Sequence, residues 1–179
     1  MFMSLLSLKQ GQRNSMQNEK IILYKLSNIE GFGTKTLNII LERVRTKNKT
    51  LEDIFNLDEK EFQNLFPEFG KGRLTKISYQ ALFNYDDEIL ENEYNILLEK
   101  GIKIITTFDK EYPKFIFERF DNSPPPILFC KGNVSLLNAN NVAIVGSRDI
   151  DSFGLETTKK IARHLSENGY NVVSGYAKG

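Results

Sequence analysis

The segment from Asn141 to Gly179 constrains the fold of this chain more than any other. Two short apolar runs, Val142–Val145 and Val172–Val173, each end in a glycine turn, and an amphipathic segment lies between them. This order predicts strand, turn, helix, strand and turn. In a parallel α/β sheet it places both turns at the carboxyl edge, where such sheets bind ligands.

The first turn, Gly146-Ser147-Arg148, suits an anion better than a nucleotide cofactor. Gly146 permits close backbone approach, Ser147 offers a hydroxyl and an amide, and Arg148 offers a planar fork that grips a phosphate through two hydrogen bonds. The second and third glycines of the dinucleotide fingerprint are missing, since Gly154 comes too late, and the chain has no GKS or GKT for a P-loop. We therefore expect no cofactor here.

The second turn contributes Lys178. On a parallel topology its ammonium and the Arg148 guanidinium share one edge of the sheet and can follow a phosphodiester backbone. An alternative interpretation pairs Arg148 with Asp149 or Asp151 and leaves Lys178 as a solvated loop residue. Because a cation follows each strand, we favour the anion site.

The composition argues against several classes of function. Lys and Arg total 24 against 23 Asp and Glu, so a nucleic-acid site must be a local patch and not a field of the whole chain. The single Cys130 excludes an internal disulfide and a multi-cysteine metal site. No paired carboxylates suggest acid/base catalysis. No apolar run approaches the roughly 20 residues that cross a bilayer, which predicts a cytoplasmic protein without a membrane partner.

Residues 19–100 are predicted to form a helical domain, after an N-terminal segment over 1–18 that we expect to be disordered because Lys9–Asn18 is polar. The first two helices flank Gly31-Phe32-Gly33, whose glycines can take positive φ; Phe32 can lie between the helices and Thr34 can cap the second helix. This loop resembles the helix-hairpin-helix motif, which presents backbone amides to a phosphate. A SAM-like domain or a plain αα-hairpin is the alternative. Gly31, Phe32 and Gly33 are thus candidates for a secondary DNA-phosphate loop.

Residues 101–179 are predicted to form the α/β part. Ile102–Thr107 and Ile127–Cys130 are read as strands on either side of a helix over 114–120, and the two strands of the opening segment follow. Strand, helix and strand repeated in this way predict a parallel sheet with right-handed crossovers. The predicted fold class is therefore α/β, with an all-α domain before a partial parallel sheet.

Four runs together resemble the DNA-processing protein A (DprA/Smf) family. They are Tyr112-Pro113, the run from Pro125 to Asn133, Val142–Arg148 and Val173–Gly179. The resemblance implies a Rossmann-like domain that binds single-stranded DNA, loads RecA recombinase onto it in natural transformation, and forms a homodimer in the full-length protein. It also implies that Gly146, Ser147, Arg148 and Lys178 contact DNA phosphates, without catalysis or a metal. Tyr176 replaces a more usual aliphatic residue.

The resemblance also sets an expectation about extent. In the family the position of Gly179 is followed by further strands, so residues 101–179 resemble the first half of the Rossmann-like domain, and we expect a fragment or a truncated reading frame. Half a sheet leaves an unpaired edge and an uncovered apolar face, which predicts aggregation and removes most of the RecA-contacting surface.

Two other functions remain open at this point. One is a nucleotide or nucleoside-monophosphate phosphoribohydrolase of a related Rossmann-like fold, although the Pro-Gly-Gly-x-Gly-Thr signature of that class is missing here. In the other, the helical domain alone binds duplex DNA or a protein and the α/β part is a scaffold.

Overall fold

The computed structural model describes residues 18–71, 74, 77–84, 86–120 and 123–176. The chain forms two compact units. The first contains the described residues up to Asp109 and the segment Phe115–Gly132, and the second contains Lys110–Lys114 and the residues from Asn133 onward. The segment expected to be disordered lies outside the described residues, apart from Asn18. The domain boundary at residues 100 and 101 stays a prediction.

Helices build most of the first unit. They are α1 over residues 18–27, α2 at Thr34–Thr46, α3 at Glu52–Phe55, α4 at Glu59–Leu65 and α5 at Asp87–Glu99, with a 3₁₀ turn at Gln80–Phe83. The apolar residues of α2 recur at i, i+3, i+4 and i+7, and all four are buried: Leu37, Ile40, Leu41 and Val44. They pack with residues of α1, α3 and α4 in one hydrophobic cluster.

Side-chain caps fix where several of these helices begin. Thr50 and Asp53 exchange hydrogen bonds, as their spacing predicts: Thr50 N donates to Asp53 Oδ2 at 2.7 Å and Asp53 N donates to Thr50 Oγ1 at 3.2 Å. Asp58 and Glu61 form a capping box at the start of α4, and Asp86 caps α5. Each cap satisfies amides that the first helical turn leaves without partners.

The first unit ends in an antiparallel strand pair. It consists of β1 (Ile102–Thr106) and β2 (Ile127–Lys131), with Ile102 opposite Lys131 and Thr106 opposite Ile127. The prediction that these two strands belong to a parallel sheet was therefore wrong. The helix between them, α6 at Phe115–Arg119, has five residues. It extends only about 7.5 Å, too short to return the chain along a strand of about 17 Å, as a parallel crossover requires.

Asp109 holds the turn after β1. One carboxylate oxygen accepts hydrogen bonds from Thr106 N at 2.7 Å and from Thr106 Oγ1 at 2.9 Å. The other lies 2.6 Å from the ammonium of Lys20 on α1. Because both charged side chains are largely buried, this pair joins α1 to the end of β1 with little competition from water.

The second unit carries the parallel strands. A 3₁₀ turn at Val134–Asn138 leads into β3 (Asn141–Ala143), α7 (Ser152–Glu167) and β4 (Asn171–Val173). β3 and β4 pair in parallel, with Val142 opposite Val172, which confirms the strand-helix-strand order predicted from the sequence. The chain is thus a mixed α/β protein in which a helical N-terminal part precedes small sheets, consistent with a partial Rossmann-like domain.

Candidate nucleic-acid interface

The Gly146-Ser147-Arg148 turn lies at the carboxyl end of β3 and is exposed. Strand pairing continues one residue past β3, because Ile144 N donates to Val173 O at 2.9 Å. Beyond it, Ser147 Oγ accepts a hydrogen bond from Asp149 N at 3.2 Å. A serine hydroxyl that accepts through its oxygen still has a proton to donate, so Ser147 can offer a hydrogen bond to a phosphate oxygen.

The turn after β4 contains a similar serine hydrogen bond. Tyr176 N donates to Ser174 Oγ at 3.1 Å, again from the residue two positions after a serine. Ala143 and Val173 are directly opposite in the parallel pair, so the chain leaves the two strands about 4.8 Å apart and at the same edge. The parallel pairing therefore places Ser174–Tyr176 at the same edge as the first turn. Lys178 lies outside the described residues, so its place in the site stays a prediction.

Asp151 fixes how the chain passes from the first turn into α7. Its side chain accepts a hydrogen bond from Gly154 N at 2.7 Å and caps the helix. A Cβ at position 154 would lie 2.8 Å from Ile150 Cγ1, so glycine is needed for this close approach. Among the described residues, no carboxylate forms an ion pair with Arg148. The structure therefore does not contain the alternative pairing of Arg148 with Asp149 or Asp151.

In the hairpin between α1 and α2, the three predicted residues Gly31, Phe32 and Gly33 have different environments. Phe32 is buried in the hydrophobic cluster, as predicted, and its amide donates to Ile29 O at 3.0 Å. Gly31 has a φ of 91°, a left-handed conformation that glycine adopts without steric cost. Thr36 Oγ1 donates to Gly31 O at 3.3 Å and ties the loop to α2.

The predicted cap of α2 was wrong. Gly33, not Thr34, is the N-cap residue; it has extended backbone with φ −75° and ψ 179°, so it needs no positive φ. No side chain caps this helix. Gly33, Thr34 and Lys35 at this uncapped start are exposed, whereas Thr36 is buried. An exposed helix N-terminus without a capping side chain is the condition under which it accepts an anion.

A groove of about 520 Å³ lies beside this hairpin. Its walls include Gly33 and Thr34 at the start of α2, and Pro125, Pro126 and Phe129 at the start of and within β2. The ring of Phe129 is half exposed and meets Tyr24 edge to face, with centroids 6.3 Å apart. This volume falls within the roughly 300–1,000 Å³ of small-ligand sites.

Other titratable groups have structural explanations. Burial raises the pKa of the Cys130 thiol, which keeps it protonated and unreactive at neutral pH. Burial of Lys25 by itself lowers its pKa, but hydrogen bonds to the carboxylates of Asp87 and Glu91 outweigh that effect and the pKa is raised. Within the described residues no group of His, Cys, Asp and Glu side chains is arranged to hold a metal ion. No helix there is long and apolar enough to cross a membrane.

Sequence reasoning missed the apolar side chains around the two turns. Val145, Phe153 and Tyr176 are 87, 78 and 99% exposed, the highest values among large hydrophobic residues of the described chain. The half-buried residues Thr158, Ala162 and Leu165 lie at helical spacing on α7, and Phe153 falls on the opposite face, which was the available signal for that residue. No comparable pattern marks Tyr176, which follows a glycine in a turn.

The fold and these turns define a class: a mixed α/β protein whose parallel strands end in exposed glycine turns suited to an anion.

A family model described as DNA recombination-mediator protein A matches residues 103–179. Three curated relatives are similar to the chain. Protein Smf of Borreliella burgdorferi is 26% identical over 133 residues, 74% of this chain and 39% of that protein. DNA processing protein DprA of Streptococcus pneumoniae is 29% identical over 155 residues, 87% of this chain and 51% of that protein. DprA of Bacillus subtilis is 33% identical over 82 residues, 45% of this chain and 27% of that protein.

Residues 103–179, which include both turns, match this family model, and the three relatives are named DprA or Smf. The chain spans about half or less of the length of these relatives.

Proposed function

We propose that this chain binds single-stranded DNA as a recombination mediator and does not itself catalyse a reaction. The observation that carries the proposal is the exposed Gly146-Ser147-Arg148 turn at the carboxyl edge of β3 and β4, inside the segment that matches a family of recombination mediators. Two relatives are named DNA processing proteins, which supports a role on DNA.

The proposed contacts are electrostatic and directed at phosphates. Arg148 supplies a fork with no internal carboxylate among the described residues, so its charge is available to a ligand. Ser147 supplies a hydroxyl donor and Gly146 permits close approach of the strand. Lys178, which follows β4 in the sequence, is proposed as the second cation.

The test is the salt dependence of binding to a fluorescent oligo-dT strand. Each phosphate contact on a single strand contributes about 0.7 to the slope of log K against log salt, so Arg148→Ala with Lys178→Ala should lower the slope by about 1.4 and weaken binding. Arg163→Ala, an exposed arginine on α7, is the matched control and should change neither quantity specifically. An unchanged slope and affinity in the double variant would refute the phosphate contacts.

The finer part of the proposal is the partner. By family resemblance, the bound strand is handed to RecA recombinase, and the protein acts as a homodimer. Addition of the full-length protein to a single strand coated with single-strand binding protein should shorten the lag before RecA filaments form, as measured by strand-dependent ATP hydrolysis by RecA. A lag that is the same with and without the full-length protein would refute RecA loading.

The Gly31-Phe32-Gly33 hairpin is proposed as a second phosphate contact. Its support is the uncapped start of α2 at Gly33 beside an open groove. Glu30 is also in this loop, so the site depends on amides and not on net positive charge.

A further inference from the structure

The three most exposed large apolar side chains of the described residues are associated with one edge of one strand pair. Val145 and Tyr176 follow β3 and β4, and Phe153 is the second residue of α7, which begins after the β3 turn. Their exposures of 87, 99 and 78% stand apart from the next value, 56% for Ile89. Single exposed apolar residues are common, but a group at one edge marks a contact surface.

Packing among the described residues does not account for the conformation of Tyr176. Its ring is 99% exposed, so it contributes almost no buried area to the described chain. Its φ of 51° lies in the left-handed region, which costs roughly 1 kcal/mol for a residue with a side chain. Ser174 Oγ accepts a hydrogen bond from the Tyr176 amide, which helps to hold this conformation. Among the described residues, Tyr176 therefore holds its aromatic ring in solvent in a backbone conformation that lowers the stability of the folded state.

We propose that Tyr176 stacks on a nucleobase of single-stranded DNA, with Val145 and Phe153 beside it as the apolar part of the same surface. This inference rests on the proposed function and assigns the base contacts that the phosphate site lacks. Aromatic side chains bind single strands by stacking, because every base has a π-face, while cations hold the backbone. Here the ring and Arg148 leave adjacent parallel strands at the same edge, the combination that a single strand with splayed bases requires.

The test compares oligo-dT with an abasic deoxyribose-phosphate strand of equal length. Tyr176→Ala should weaken oligo-dT binding by about 5- to 150-fold, the range that loss of one stacked base produces, and should leave abasic binding unchanged. Tyr176→Phe should bind like the unsubstituted chain, because the ring is kept. Tyr170→Ala is the matched control, since Tyr170 is an exposed tyrosine at the opposite end of β4 and should keep full affinity for both strands.

A tryptophan probe gives a direct signal of stacking. The chain contains no tryptophan, so Tyr176→Trp introduces a single indole. Its fluorescence should be quenched by saturating oligo-dT and not by the abasic strand, whereas that of Tyr170→Trp should respond to neither. Circular dichroism of each variant checks that the fold is kept.

The outcomes separate this inference from the function on which it rests. If Arg148→Ala weakens binding of both strands but Tyr176→Ala binds oligo-dT normally and Tyr176→Trp is not quenched, base stacking is refuted and the phosphate site stands. If Tyr176→Ala changes only the sedimentation of the protein, the surface is a protein contact and the inference is wrong. If the unsubstituted chain binds neither strand, the proposed function and the inference both fail.

Discussion

Replacing Gly33 by aspartate should make the protein more stable and its hairpin a poorer DNA contact. Gly33 is the N-cap of α2, with φ −75° and ψ 179°, a conformation that any L-residue adopts. A Cβ added there meets nothing within 4 Å. Aspartate is among the preferred N-cap residues because its carboxylate accepts hydrogen bonds from the free amides of the first turn.

The stability gain has three parts. Aspartate caps better than glycine by a few tenths of a kcal/mol, removal of glycine from the unfolded chain adds about 0.4–1 kcal/mol, and a negative charge at a helix N-terminus adds about 0.3–1 kcal/mol. The sum is about 1–2 kcal/mol. Gly33→Asn keeps the first two parts and lacks the charge, so it should gain about 1 kcal/mol.

The same substitution that raises stability should lower the affinity for DNA. An aspartate carboxylate at position 33 occupies the amides that a phosphate would use and repels it, so Gly33→Asp should weaken binding more than Gly33→Asn does. Urea unfolding followed by circular dichroism gives the stability, and fluorescence anisotropy with single-stranded and duplex oligonucleotides gives the affinity. A loss of stability in both variants would refute the assignment of the cap. Unchanged affinity in Gly33→Asp would refute the hairpin as a phosphate contact.

Two further predictions concern buried polar groups. Asp109→Ala should destabilise the protein by about 3 kcal/mol in urea unfolding, because it strands the Lys20 ammonium and two donors of Thr106; a loss below about 1 kcal/mol would contradict the buried pair. Burial raises the pKa of Tyr112 from 10.0 to about 12, so the folded state keeps a neutral phenol that the unfolded state ionises. The stabilisation is full below pH 10 and is lost as pH rises from 10 to 12. Phenolate absorbance at 295 nm should therefore lose a late-ionising component in Tyr112→Phe, and an unchanged titration would refute this assignment.

The parts of the fold that depend on neighbours in sequence could be predicted. Examples in the structure are the apolar spacing of α2, the reciprocal hydrogen bonds of Thr50 and Asp53, and the positive φ of 71° at Gly101 just after α5. Such features are encoded by residues three or four positions apart. The pairing of β1 with β2 is not encoded in this local way. A β-branched, apolar run indicates that a segment is a strand, but it does not indicate the partner strand or the direction of pairing. The short α6 was the one local sign against a parallel crossover.

The candidate site also has features that the local sequence predicts and features that it does not. Glycine and arginine in a turn after a strand identified the Gly146-Ser147-Arg148 segment, and parallel pairing then put it beside the β4 turn. The cap of α2 was assigned to Thr34 because threonine is a preferred cap, whereas the backbone turns one residue earlier, at Gly33. Exposure of Tyr176 follows from three-dimensional packing and has no signature in one sequence.

At the two strand-end turns, unlike at Gly33, DNA binding can be tested apart from stability. The first unit holds its buried clusters around α1, α2 and α4, and changes there alter the free energy of unfolding. None of the described residues of α7 is buried, and the described residues of both turns, 146–148 and 174–176, are exposed and carry local serine hydrogen bonds. Substitutions at Arg148 or Tyr176 therefore remove little that folding depends on. A change in DNA affinity there reports the contact itself, because loss of the folded state does not compete as an explanation.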